Sequence, residues 1–88
     1  MSDYADYTII QDGLAGREHT SGTNAIVVEG RGGRYSITYE FGKSGYLIWG
    51  SGNLVGKTVN IRFDGGRPGS LQRSGGSGYC SVISSSKL

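Results

Sequence analysis

The fold turns on two stretches, Tyr35-Ser36-Ile37-Thr38-Tyr39-Glu40-Phe41 and Thr58-Val59-Asn60-Ile61-Arg62-Phe63. In both, a bulky apolar side chain alternates with a polar one without error. A period of two sends successive side chains to opposite faces of a pleated strand, so each stretch reads as a β-strand with a dry face and a wet face. The dry sets, Tyr35, Ile37, Tyr39 and Phe41 in one strand and Val59, Ile61 and Phe63 in the other, are the expected core. No ten-residue stretch carries apolar residues at helical spacing, which leaves an all-β domain.

Working outward, Tyr7–Ile10 is a short strand that ends in the turn signal Gln11-Asp12-Gly13. Residues 14–22 are polar, broken by Gly16 and Gly22, and hold one helical turn at most. Residues 25–29 read as a further strand whose lack of clean alternation predicts burial on both faces. Gly30-Arg31-Gly32-Gly33-Arg34 and Gly42-Lys43-Ser44-Gly45 supply turn glycines, so residues 25–49 are expected to form a three-strand meander ending in Tyr46–Trp49. Residues 66–78, with five glycines and Leu71 as the one bulky apolar side chain, read as a flexible Gly/Ser-rich loop or a weak edge strand. Residues 79–83 form a last short strand and residues 84–88 a frayed tail. The expected architecture is one domain over residues 1–88, a small antiparallel β-barrel or half-open sheet of five to six short strands with Gly-rich turns.

Composition removes several functions. At 88 residues the chain has room for one small core and not for a core plus a buried cofactor cavity. Seventeen glycines without a three-residue period exclude a collagen-like chain. A single cysteine, Cys80, allows no internal disulfide, and the opening residues lack the basic and apolar runs of a signal peptide, so the expected compartment is the cytosol. One histidine, His19, and one cysteine are too few for a structural zinc. Cys80 reads as a small core residue rather than a nucleophile paired with His19. The stretch Gly50–Thr58 resembles a phosphate-binding loop, but Ser51 stands where the first glycine is needed. The following residues alternate as a strand, whereas a phosphate cradle must lead into a helix. No catalytic residue, cofactor or metal is expected, and the chain is read as a non-enzymatic module.

Charge supplies the positive signal. Residues 1–29 sum to −4 and residues 30–88 to +6, an acidic opening followed by a basic body. In that body cations interleave with aromatics, the composition of surfaces that hold nucleic acid by phosphate contacts and base stacking. The candidate contacts are Arg31, Arg34, Lys43, Lys57, Arg62, Arg67 and Arg73, with Tyr46 or Trp49 as a stacking residue. Arg31-Gly32-Gly33 resembles one unit of an RNA-binding repeat and is explained as well by turn chemistry.

Residues 45–64, from Gly45-Tyr46-Leu47-Ile48-Trp49 through Leu54-Val55-Gly56-Lys57 to Val59-Asn60-Ile61-Arg62-Phe63-Asp64, resemble the small C-terminal β-barrels of Mu-type transposases and related integrases. The resemblance implies a stand-alone accessory DNA-binding barrel; the carboxylates with which such enzymes do chemistry belong to another domain. The rival expectation is a protein-binding accessory or inhibitor module, for example phage- or mobile-element-encoded, using an exposed aromatic patch or a sheet edge. A self-associating structural subunit would use the same edges on copies of itself.

Overall fold

The computed structural model describes residues 4–19, 22–41, 50–74 and 79–88, and among these it forms eight strands and no helix. They are β1 (Tyr4–Asp12), β2 (Arg17–His19), β3 (Thr23–Gly30), β4 (Gly33–Glu40), β5 (Gly50–Gly52), β6 (Thr58–Asp64), β7 (Arg67–Arg73) and β8 (Tyr79–Lys87). Six close into an antiparallel barrel in the order β1-β3-β4-β8-β7-β6, and β2 pairs with β5 in a separate two-stranded sheet. Closure satisfies both edges of every barrel strand, which suits a domain too small to leave a long edge unpaired.

The two alternating stretches form β4 and β6, with their dry faces inward. Ile37, Tyr39, Val59 and Ile61 are fully buried, joined by Ile9, Ile26, Val28, Leu71 and Cys80. Tyr7, Tyr35 and Phe63 meet at one rim with ring centroids 5.5–6.0 Å apart, two of the three pairs edge to face. Such rings plug the barrel mouth and add about 0.5–1.5 kcal/mol per pair beyond their burial.

Four expectations need correction. Residues 25–29 are not buried on both faces: in β3 Asn24, Ile26 and Val28 point inward, while Ala25 is exposed and Val27 half-buried. The alternation is masked because a polar residue takes an inward position and apolar ones take outward positions. Within residues 14–22, read as a polar segment with at most one helical turn, Arg17–His19 form the short strand β2. Residues 67–73 are neither loop nor edge but a barrel strand paired on both sides. There Gly65 and Gly66, at φ +63° and +84°, make the two-residue hairpin that L side chains resist, and the buried Pro68 and Leu71 anchor the strand inward. Residues 84–87 are not a frayed tail either. Ser84, Ser85, Ser86 and Lys87 pair with Thr38, Ile37, Ser36 and Tyr35, so backbone pairing to the open side of β4 holds a segment with almost no apolar side chains. The expected strand at Tyr46–Trp49 lies outside the described residues.

Candidate functional site

Turn chemistry at the end of β1 builds the most polar point of the interior. Asp12 follows a bulge between Ile9 and Gln11, and its side chain, like that of His19, has no exposure. A buried carboxylate is tolerated only when its lone pairs are filled. Here the Asn24 amide donates to Oδ1 at 3.0 Å and the Leu14 N–H at 2.9 Å, while the Leu54 N–H and His19 Nε2 donate to Oδ2 at 3.0 and 3.1 Å. Because a carboxylate only accepts, His19 must carry its proton on Nε2. Burial pushes the Asp12 carboxyl up, but the hydrogen bonds from Asn24, the Leu54 and Leu14 amides and His19 together outweigh it and hold it below the usual carboxylate value. Asn24 Nδ2 also donates to the Tyr39 hydroxyl at 3.2 Å, a group that burial pushes well above its ordinary pKa. Asp12 thus ties the β1–β2 turn and the segment after β5 to the barrel. With both members of the Asp–His pair sealed from solvent, it is a structural fastening and offers a substrate no access.

The exposed charge lies elsewhere. Since all barrel neighbours are antiparallel, β1, β4 and β7 start at the rim where β3, β6 and β8 end. This rim carries the turns Arg31-Gly32 and Gly65-Gly66 and the aromatic plug. Arg31, Arg34, Arg62, Arg67 and Lys87 are all exposed there, against the exposed acids Asp6, Glu29 and Asp64. Arg34 Nε donates to Glu29 Oε2 at 2.9 Å, a pair more than half exposed and therefore worth little. Lys87 reaches the rim because the Leu88 N–H donates to the Arg34 carbonyl at 2.9 Å, pinning the end of β8 beside the start of β4.

The sequence-predicted contacts therefore divide. Arg31, Arg34, Arg62 and Arg67 come together, while Lys57, just before β6, and Arg73, the last residue of β7, stand at the opposite rim. Lys43, Tyr46 and Trp49 lie outside the described residues. Two rim residues escaped sequence reasoning. Lys87 belonged to the supposed tail, and Tyr4 precedes the stretch read as a strand, yet Tyr4 is directly opposite Arg62 on the same face of the sheet. His19, read as part of a polar loop, is wholly buried on β2; the signal that could have found it is Asp12 seven residues earlier.

Compared with protein-family models, curated proteins and solved structures, the chain matches none of them.

Proposed function

We propose that this protein is a non-enzymatic module that binds nucleic acid through the basic rim of its barrel. The observation that carries the reading is the gathering of Arg31, Arg34, Arg62, Arg67 and Lys87, all exposed, at one rim where the exposed acids are three, Asp6, Glu29 and Asp64. Cations that contact phosphates release counterions on binding, and affinity follows from charge more than from shape. Tyr4 beside Arg62, and the half-buried Phe63, place aromatic surface next to those cations, as stacking recognition requires. The partial resemblance to transposase C-terminal barrels supports the same reading.

Binding of the full chain to a fluorescent oligonucleotide, followed by anisotropy across salt concentrations, tests it. The log–log slope is expected at about −0.7 to −0.9 per phosphate contact. Reversing Arg62 and Arg67 to Glu should flatten that slope, and reversing Lys57 at the opposite rim should leave it nearly unchanged. Absence of binding at low salt, where attraction between exposed charges is strongest, would overturn the reading in favour of a protein partner.

A further inference from the structure

The β6–β7 hairpin carries a cleft that belongs to the basic rim. Arg62 is opposite Ser70 and Phe63 opposite Pro68, so Gly69 is the unmatched residue of a bulge. A space of about 320 Å³ opens there between Arg62, Phe63, Asp64, Gly69 and Ser70. The backbone does not require this glycine, whose φ lies outside the left-handed region. Space does: a Cβ on Gly69 would stand 3.1 Å from the Asp64 Cβ and narrow the cleft on that side.

Asp64 is the unusual group. Of the three exposed acids at this rim, Glu29 accepts from Arg34 and Asp6 accepts from the Asn60 amide. Asp64 is two residues from Arg62 along β6 and opposite Arg67, yet among the described residues it has neither a hydrogen-bond nor an ion-pair partner. A lone carboxylate repels the phosphates that the surrounding cations attract. It aids recognition only where the incoming group presents N–H donors, because an ionised carboxylate accepts and does not donate.

Nucleobases present such donors. Guanine alone among the common bases has two adjacent N–H donors on one edge, N1–H and the N2 amino group, which match the two oxygens of a carboxylate. Thymine has a single N–H flanked by two carbonyls, which a carboxylate repels. We propose that this cleft holds one unpaired guanine of a single strand lying on the basic rim. N1–H and N2–H donate to the two Asp64 oxygens, and the planar Arg62 guanidinium covers the face of the base. The volume is at the lower end of small-molecule sites, about 300–1,000 Å³, and suits one base. In a duplex the same edge of guanine is taken by cytosine, so the cleft selects single strands. The proposal rests on the nucleic-acid reading: the cations hold phosphates, and the cleft reads a base.

Fluorescence anisotropy on the full chain tests it with two short oligonucleotides, one all thymine and one with a single central guanine. The guanine strand should bind about tenfold more tightly at equal salt, the discrimination of a good bidentate contact. Hypoxanthine in place of guanine keeps N1–H, lacks the amino group, and should lose most of that gain. Asp64→Asn should abolish the preference while all-thymine binding holds or strengthens, since a negative charge leaves the rim. Gly69→Ala, which narrows the cleft, should weaken the preference. All-thymine binding with the expected salt slope but no guanine preference would overturn the cleft proposal and leave the rim reading standing. A guanine preference that Asp64→Asn leaves intact would also overturn it. Failure of both strands to bind at low salt would overturn the two together.

Discussion

At Asp12 a carboxylate gives up water and receives four donors, two of them backbone amides from segments 40 residues apart in sequence, Leu14 and Leu54. Removing it strands those donors in a dry interior at about 1–3 kcal/mol for each one left unsatisfied, so Asp12→Ala is expected to cost several kcal/mol. Against an ordinary total of about 5–15 kcal/mol that brings the domain close to unfolding, which urea denaturation will measure. Gly13 is constrained by space: a Cβ there would stand 2.9 Å from the Ala25 carbonyl and 3.1 Å from Asn24 Oδ1. Gly13→Ala should therefore destabilise by about 1–3 kcal/mol, as overpacking does, and an unchanged urea midpoint would show that β3 yields there. Ile61, with no exposure, should cost about 2–5 kcal/mol when cut to Ala. This last position was legible from alternation alone. Asp12 was not, because a turn-forming aspartate and a buried one have the same neighbours in sequence.

Among the elements, β4 and β6 declare themselves through period two, while β7 and β8 do so poorly. What holds the last turn of β8 is the ladder from Thr38↔Ser84 to Tyr35↔Lys87. Deleting residues 84–88 should accordingly open the barrel at β4 and lower the thermal midpoint by several degrees, given about 4–8 °C per kcal/mol for a domain of this size. A tail without partners would be removable at no cost. The two short strands β2 and β5 depend on the same logic. With three residue pairs between them they lack a core of their own and rely on His19 and Leu54 reaching into the barrel end.

For the whole molecule, the balance of charge and burial sets the response to pH. The folded Asp12 carboxyl lies below its unfolded value of about 3.9, so the native state resists protonating it. Its contribution is fully present above the unfolded value and is lost as pH falls through the lower, folded one. Thermal midpoints should thus stay level near neutrality and fall below about pH 4, with a shallower fall in Asp12→Asn. An equally steep acid limb in that variant would move the cause to the exposed carboxylates.

Alternation determined by itself that the chain is all-β, which faces of β4 and β6 are dry, and that Arg62 points to solvent. Those are properties of a single strand, written in its own period. Closure into a six-stranded barrel, the recruitment of 67–73 and 84–87 as strands, and the choice of Asp12 as a buried hub were decided by tertiary structure. Each depends on backbone groups of one strand needing partners from another, a demand carried by every residue alike and so invisible in side-chain pattern. The same holds for the basic rim. Five cations scattered from Arg31 to Lys87 become neighbours only because antiparallel pairing returns every second strand end to the same place.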